Sequence, residues 1–285
     1  MHGIFPLSQL FHGSLSIIND PGRGFLGYLT PSVIRHYSYR GENQFLNDLK
    51  DAIETDNREW FLVTGGKKET FTKVFSEPES GPFSSWSSYD PELELLLVRK
   101  VRSTAHELAA ETFGSLLLED IGTVGMSRTL ELFGSATHTA TIGSKEPDKA
   151  WKPIHLPRGR SQHWPRAVLE VVDSETKAKL LTDVRYWLRA SGGDVKMVFT
   201  IQIDQNAPNI TIEKWESNND GRKHLEQRIK ISKRDNNITV SESPLLISFQ
   251  KLFLRSPSIP RERDVEIDEE KLIWLAERVW AGYSF

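Results

Sequence analysis

The sequence predicts an α/β protein in which a central mixed sheet is flanked by helices and extended by antiparallel strands at both ends. The middle of the chain alternates helical and strand patterns, which is typical of this class. Residues 167–172 are apolar on both faces except at Glu170, as expected for a strand that is covered on both sides. Apolar and charged side chains alternate through much of residues 224–231, which indicates an antiparallel strand with one face in solvent.

Composition narrows the classes of protein to which the chain can belong. It has 285 residues and a formal net charge of −3, and its charged fraction of 26% is ordinary for a globular protein. The charge excludes a broadly basic, histone-like surface but allows a local basic groove. No cysteine is present, which excludes disulfides, thiolate zinc sites and cysteine nucleophiles.

The same features predict an intracellular protein, cytoplasmic or nuclear. A chain without cysteine suits a reducing compartment. The first six residues lack the basic start and apolar run of a signal peptide, and no apolar stretch approaches the length of a membrane span. We therefore expect no interaction with a membrane.

The first predicted segment, residues 1–88, is an N-terminal extension with a short helix and a hairpin. Residues 60–64 and 71–75 have strand-like composition and are predicted to form the hairpin. Residues 77–90 are rich in Ser, Pro and Gly and are the predicted linker. The helix is predicted from four apolar residues at helical spacing, which are Phe45, Leu46, Leu49 and Ile53.

The second predicted segment, residues 89–205, is the α/β core, and the third, residues 206–285, adds strands and a terminal helix packed on it. Within the core the patterns predict the order helix, strand, strand, strand, helix, strand. Ser103 and Ser174 are the predicted helix caps. These elements are predicted at residues 103–118, 130–133, 137–142, 167–172, 174–188 and 196–203, and the terminal helix at 269–279.

Glu170 is the most informative single residue of the core. Its strand is otherwise apolar, and a carboxylate there is costly to desolvate unless it is paired or binds a metal. The structural alternative is a buried Glu that is held by an Arg or a Lys, or a strand end that reaches solvent. Asp148 follows a proline, which is common in turns, but its place before the Glu170 strand gives it a second interpretation. Two carboxylates on adjacent strand ends can share a hard divalent cation.

These residues resemble the PD-(D/E)XK nuclease superfamily. The resemblance rests on Pro147-Asp148, then Glu170 after a strand-sized interval, then an amphipathic helix, and it is closest to a set of fungal proteins that carry this domain. It covers residues 89–204 and extends more loosely into the tail at residues 252–257. Further matching positions are His106-Glu107, residues 143–148, Trp164-Pro165, Ser174-Glu175, Leu180, Asp183 and Trp187-Leu188.

The resemblance implies a restriction-endonuclease-like core and a metal-dependent nuclease that hydrolyses phosphodiester bonds, with DNA favoured over RNA. Asp148, Glu170 and Glu107 would bind Mg²⁺ or Mn²⁺, and no organic cofactor is expected. Taken alone, Glu107 also suits the first turn of a helix, where the helix dipole favours an acid. The alternative function is a catalytically degenerate module of the same fold that binds nucleic acid or a protein partner.

The alternative is motivated by Val172, which stands where the superfamily motif has its lysine. Lys145 fits the fungal pattern and is the lysine we include among the catalytic residues, although a regular strand would place it on the face opposite Asp148. Lys177 is the geometric rival on the sheet-facing side of the following helix, and Lys179 is predicted to be rotated further away. Two acidic matches are left outside the predicted site, and these are Glu175, which suits a helix start, and Asp183, a structural partner for an Arg.

A nuclease also needs contacts to phosphate, and the segment between the two carboxylates is rich in cations. Arg158, Arg160 and Lys152 are the predicted nucleic-acid-binding residues. The tryptophans Trp151 and Trp164 could stack on bases. The structural alternative is a solvated loop with two core tryptophans. Further basic candidates are Lys149 and Arg166 in the same segment and Arg228, Lys230, Lys233 and Arg234 in the tail.

Overall fold

The computed structural model describes residues 26–27, 29, 31–32, 34–55, 59–76, 81–100, 103–133, 137–140, 143–173, 177–218, 222–235 and 237–283. The chain divides into two compact units. The first contains Met1–Arg102 and Thr137–Glu146, and the second contains Ser103–Ala136 and Pro147–Phe285. The predicted division into three segments at residues 88 and 205 stays a prediction.

A six-stranded mixed sheet forms the first unit, in the order β1-β2-β4-β3-β7-β6. The pair β1 and β2 is parallel, and the other neighbours are antiparallel. Its strands are β1 (His36–Ser38), β2 (Trp60–Thr64), β3 (Trp86–Asp90), β4 (Leu95–Arg99), β6 (His138–Ala140) and β7 (Gly143–Lys145).

Aromatic side chains build the core of the first unit. The predicted helix is present as α1 (Glu42–Thr55), and its Phe45 stacks against Phe83 with 5.4 Å between ring centroids. The predicted hairpin is wrong, because residues 68–76 are helical and β2 pairs instead with β4. Helical spacing explains the difference, since Phe71 and Phe75 are four residues apart and both are buried. The predicted linker also contains the buried strand β3.

The second unit contains a seven-stranded mixed sheet in the order β13-β12-β11-β10-β9-β8-β5. Only its pair β9 and β10 is parallel. A separate pair, β14 and β15, is antiparallel. The strands are β5 (Leu130–Phe133), β8 (Lys149–Pro153), β9 (Ala167–Asp173), β10 (Met197–Ile203), β11 (Asn209–Ser217), β12 (Lys223–Arg234), β13 (Asn237–Ser241), β14 (Leu245–Ile247) and β15 (Val265–Ile267).

Helices of the second unit begin at caps that the sequence contains. Ser103 accepts a hydrogen bond from the backbone N–H of His106 at 3.0 Å, and Asp268 accepts one from Lys271 at 2.9 Å. None of the described helices is long and apolar enough to cross a membrane. The helices are α2 (Thr104–Thr123), α3 (Lys177–Ala190), α4 (Phe249–Phe253) and α5 (Glu269–Ala281).

The two faces of this sheet pack against different helices. On one face Leu169, Val171 and Phe199 join a core with residues of α2 and α5, such as Phe113 and Trp280. The alternate residues of β9 and β10 point to the other face, where α3 packs. Side-chain alternation therefore decides which residues of β9 can meet α3, and Glu170 is among them.

The predicted order of helix, strand, strand, strand, helix, strand is present in the second unit as α2, β5, β8, β9, α3 and β10. One of the three strands, however, was assigned to the wrong residues. The strand predicted at residues 137–142 corresponds to β6, which belongs to the sheet of the first unit. The second strand of the core is β8, which follows Asp148 in a segment predicted to be a loop. Trp151 lies on that strand, and its complete burial explains why a segment rich in Lys and Pro is extended.

Candidate functional site

Asp148 lies immediately before β8 and is held by three contacts, two to β9 and one to α2. Its backbone N–H donates to the Leu169 carbonyl at 3.1 Å. Its Oδ2 accepts the backbone N–H of Val171 at 2.7 Å. Its Oδ1 lies 3.1 Å from Nε2 of His106. The residue is 4% exposed, so this carboxylate is held in place at the edge where β8 begins.

His106 is a site residue that the sequence analysis did not include among the predicted metal ligands or catalytic residues, although it is a matching position of the resemblance. It lies in the first turn of α2 and is 1% exposed. The cap by Ser103 fixes the start of the helix, and this directs the His106 ring toward the carboxylate of Asp148. The signal available in the sequence was its place beside Glu107 in the pattern that resembles the superfamily.

Glu170 lies in the middle of β9 and is 1% exposed. Its Oε1 accepts a hydrogen bond from the indole Nε1 of Trp187 at 2.5 Å. Because Trp187 belongs to α3, Glu170 is on the face of the sheet that α3 covers. Val171, the next residue, points to the opposite face and donates its backbone N–H to Asp148. The two predicted carboxylates therefore lie at one place in the sheet, joined through the backbone of β9.

A row of polar residues crosses the sheet beside Glu170. In the parallel ladder Thr200 of β10 is the direct partner of Glu170, and in the antiparallel ladder it is the partner of Glu213 of β11. Direct partners point to the same face, so all three lie on the α3 side. Thr200 is 1% exposed, and its hydroxyl has no hydrogen-bond partner among the described protein groups.

The sheet-facing side of α3 contains a buried ion pair. Lys179 Nζ and Asp183 Oδ2 are 2.5 Å apart, and the two side chains are 2% and 1% exposed. The prediction that Lys179 is rotated away was wrong, because Lys179, Asp183 and Trp187 follow one another at intervals of four residues on one side of the helix. A partner of Asp183 is thus a lysine, where an arginine was expected.

Four other residues that the sequence analysis considered have different outcomes. The side chain of Lys177 and all of Glu175 lie outside the described residues. Lys145 is completely buried on β7 of the first unit. Glu107 is half-buried in the first turn of α2. Within the described part of the chain, no three His, Asp or Glu side chains are grouped so that they could hold a metal ion.

The loop between β8 and β9 exposes two of the three predicted nucleic-acid-binding residues. Arg158 and Arg160 are both exposed. Arg166 is completely buried instead and anchors the loop, donating to the Ser161 carbonyl at 2.7 Å and to the Asp194 carbonyl at 3.0 Å. Burial lowers the pKa of the Arg166 guanidinium, and repulsion from Arg160 acts in the same direction. The Asp194 carboxylate, 3.0 Å from the guanidinium, acts in the opposite direction and raises this pKa.

Lys152 and Trp151 do not have the surface positions that the predictions require. Lys152 is 7% exposed, and its ammonium donates to the Gln162 carbonyl at 3.1 Å and lies 3.1 Å from Glu131. Trp151 is completely buried, with its ring centroid 6.1 Å from that of Phe113. Both residues are on β8, which the sequence analysis did not predict as a strand. Their burial therefore has the same cause as that missed strand.

Of the remaining aromatic and basic candidates, some contact other side chains and some are exposed. Trp164 is half-buried, and its ring centroid lies 6.2 Å from that of Trp187. On β12, Arg228 is paired with Glu213 at 2.7 Å, whereas Lys230 is exposed. Arg228 therefore has a structural role in an ion pair with Glu213. The exposed cations of β12 stay predicted phosphate contacts.

Comparisons with known proteins give a distant likeness. No protein-family model matches the chain. No curated protein is similar to it at a significant level. Among solved structures the chain is similar to a DUF820 protein from Anabaena variabilis that is provisionally assigned as a nuclease, with 15% sequence identity and a TM-score of 0.40. The match covers 73% of this chain and 97% of that chain. The resemblance to fungal proteins stays a prediction.

The donor set at Asp148 and Glu170 suits a hard divalent cation. Carboxylate oxygens are the ligands that Mg²⁺ prefers, and this ion is commonly held by one or two carboxylates together with water and substrate phosphate. The buried hydroxyl of Thr200 beside Glu170 adds a polar atom that no described protein group satisfies. The described site thus contains two carboxylates and one further oxygen, and it does not contain a preassembled third acidic ligand.

Proposed function

We propose that this protein is a metal-dependent nuclease that hydrolyses phosphodiester bonds of nucleic acid, with DNA favoured over RNA. The observation that supports this proposal is that two buried carboxylates, Asp148 and Glu170, occupy neighbouring positions where β8 begins beside β9. Asp148 accepts a hydrogen bond from Val171, the residue that follows Glu170. The core of the second unit has the element order that the resemblance implies, with these two residues on the second and third strands or at their ends.

Asp148 and Glu170 would hold Mg²⁺ or Mn²⁺ in this proposal. Such an ion lowers the pKa of a bound water and stabilises charge on the phosphate. The protein prepares both carboxylates for this role, because the Val171 N–H and His106 fix Asp148 and the indole of Trp187 fixes Glu170. Contacts of this kind orient metal ligands and raise metal affinity.

Lys179 is our candidate for the ammonium that is absent at position 172. It is buried on the side of α3 that carries Trp187, the residue bonded to Glu170. An ammonium there offsets negative charge that develops on the phosphate and helps to orient the attacking water. Asp183 holds the ammonium within 2.5 Å. Glu107 and Lys145 remain proposed members of the site.

Hydrolysis at this site consists of the attack of a water oxygen on phosphorus and the departure of one ester oxygen. The P–O bond to that oxygen breaks, the attacking water loses a proton, and the leaving oxygen gains one. The exposed guanidinium groups of Arg158 and Arg160 would contact the phosphates of the bound strand. The buried side chain of Arg166 would maintain the position of their loop.

The test is cleavage of single- and double-stranded DNA and RNA with Mg²⁺ or Mn²⁺ by wild type, Glu170→Gln and Glu213→Gln. Glu213 is the matched control because it is a buried glutamate on the same face of the same sheet. We expect Glu170→Gln to reduce the cleavage rate by about 100-fold or more while Glu213→Gln keeps it, because only Glu170 would bind the ion. Equal loss in both variants, or cleavage that does not depend on a metal, would contradict the proposal.

A second candidate function is a catalytically degenerate module that binds nucleic acid or a protein partner. The burial of Asp148 and Glu170, at 4% and 1% exposure, favours it, together with Val172 at the lysine position. In that case wild-type protein cuts none of the four substrates with either metal. Retained binding of an oligonucleotide, lost on Arg158→Ala and Arg160→Ala substitution, would then identify a nucleic-acid-binding module.

A further inference from the structure

The buried hydroxyl of Thr200 lies on the α3-covered face of the sheet and has no assigned role in the proposed reaction. Thr200 is the direct ladder partner of Glu170, and its Oγ1 is buried without a partner among the described protein groups. Buried polar atoms in folded proteins nearly always have hydrogen-bond partners, so such an atom indicates a place for a water or an ion. A buried unsatisfied hydroxyl also costs stability.

The neighbours of Thr200 indicate which group its hydroxyl can assist. Its neighbours on β10, at positions 198 and 202 of the same face, are Val198 and Gln202, and the former is completely buried. On the β11 side its partner Glu213 is already bonded to Arg228 and to the Trp215 indole. The group that Thr200 can assist is therefore on the β9 side, where Glu170 lies.

We propose that Thr200 is a positioning residue for the metal site, and that its hydroxyl holds a water ligand of a divalent cation bound by Glu170. A hydroxyl can donate one hydrogen bond and accept two, which suits it to orient a water beside a carboxylate. This inference rests on the proposed function, because it requires a cation at Glu170. It assigns to β10 a contribution to the site that the carboxylate pattern of the sequence does not contain.

The experiment is a calorimetric titration of the metal-free protein with Mn²⁺, in wild type and in the variants Thr200→Val, Thr200→Ser and Glu170→Gln. Thr211→Val is the matched control, because Thr211 lies on β11 two residues before Glu213 on the same face. Thermal unfolding of each metal-free variant is measured in parallel. No step of the experiment depends on cleavage.

We expect Thr200→Val to weaken Mn²⁺ binding by about 10-fold, as is usual when a group that orients a metal's ligands is lost. Thr200→Ser should bind like wild type, since it keeps the hydroxyl, and Thr211→Val should have no effect. The metal-free Thr200→Val protein should unfold at the same or a higher temperature, because the substitution removes an unsatisfied polar atom. A role in metal binding and a role in folding thus predict changes of opposite sign.

Two outcomes would overturn the inference, and they are distinguishable. If Glu170→Gln loses Mn²⁺ binding while Thr200→Val keeps it, Thr200 has no role and the proposed function stands. If Glu170→Gln binds Mn²⁺ like wild type, the metal site is not at Glu170, and the proposed function and the inference fail together. Thr200→Ala serves as the second variant should Val be too bulky to fold.

Discussion

Two buried glutamates flank Thr200 on one face of the sheet, and their surroundings differ. Glu213 has a donor for each carboxylate oxygen, with Arg228 Nε at 2.7 Å from Oε1 and Trp215 Nε1 at 3.0 Å from Oε2. Glu170 accepts a hydrogen bond from a neutral indole, and the hydroxyl beside it has no partner among the described groups.

The difference separates a structural carboxylate from a candidate ligand. A buried charge is tolerated when donors satisfy it, and Glu213 meets this condition within the protein. Beside Glu170, the Thr200 hydroxyl has no hydrogen-bond partner among the described groups. Such an arrangement is expected where a ligand completes the site. Glu170 and Glu213 are the same residue type, and both lie inside a strand, so neither property distinguishes them.

The largest expected effect concerns the buried ion pair of Lys179 and Asp183 on α3, the helix that covers Glu170. Lys179→Met should lower the free energy of unfolding by about 3–5 kcal/mol, because it leaves the Asp183 carboxylate buried without this cation. The double variant Lys179→Met/Asp183→Leu should recover most of the loss, because an apolar pair replaces the charges. Urea denaturation measures both, and a double variant no more stable than the single one would contradict the prediction.

Trp187→Phe should have the next largest effect, because it keeps the aromatic packing and removes the indole N–H that Glu170 accepts. We expect a loss of about 1–3 kcal/mol in unfolding free energy, the usual cost when a buried charged group loses a hydrogen bond. Affinity for Mn²⁺ should fall by about 10-fold, as for other contacts that orient a metal ligand. Trp215→Phe is the control, since it removes the donor of Glu213, and it should leave Mn²⁺ affinity unchanged.

Glu213→Gln should have a smaller effect and act on stability alone. Gln keeps the shape of the side chain but replaces a charged acceptor, so we expect a loss of about 1 kcal/mol, reduced because Arg228 is partly in solvent. Mn²⁺ affinity should match that of wild type in the same titration. A clear loss of Mn²⁺ binding would mean that the metal site extends across Thr200 to β11.

A pH dependence is expected on the Glu213 side of the sheet, at Lys223. Burial lowers the pKa of Lys223 from 10.5 to about 8, and repulsion from Arg185 adds to this effect. Between those pH values the unfolded chain binds the proton and the folded protein has released it, so this group makes folding stability rise with pH. Below about pH 8 the residue is charged in both states, and its burial costs stability.

Lys223→Met should therefore be more stable relative to wild type below that window than above it. Urea denaturation of both proteins across the window gives the difference, and the difference between variant and wild type should shrink as pH rises. A difference that is constant with pH would show that Lys223 titrates in the folded protein as it does in the unfolded chain.

Much of the fold was predictable from periodicity, and the errors have physical causes. The terminal helix and β12 follow amphipathic patterns with the expected period and were predicted within a few residues. The segment at 71–75 was predicted as a strand because its aromatic content is high, but spacing by four placed Phe71 and Phe75 on one side of a helical turn. Strand β8 was missed because Lys and Pro conceal a strand whose Trp151 is buried.

The sequence by itself predicted that Glu170 lies in a strand covered on both faces, where a carboxylate is costly unless it is paired or binds a metal. It also indicated that Asp148 precedes the strand that contains Glu170. Only the tertiary structure decided which partners these carboxylates receive. His106 contacts Asp148 from the capped start of α2, and Trp187 contacts Glu170 from one face of α3. Thr200 lies beside Glu170 through the register of β9 and β10. Each of these positions depends on how separate elements pack. Residue type and spacing along one strand cannot specify contacts made by other elements, so Glu170 and Glu213 were distinguishable only after folding.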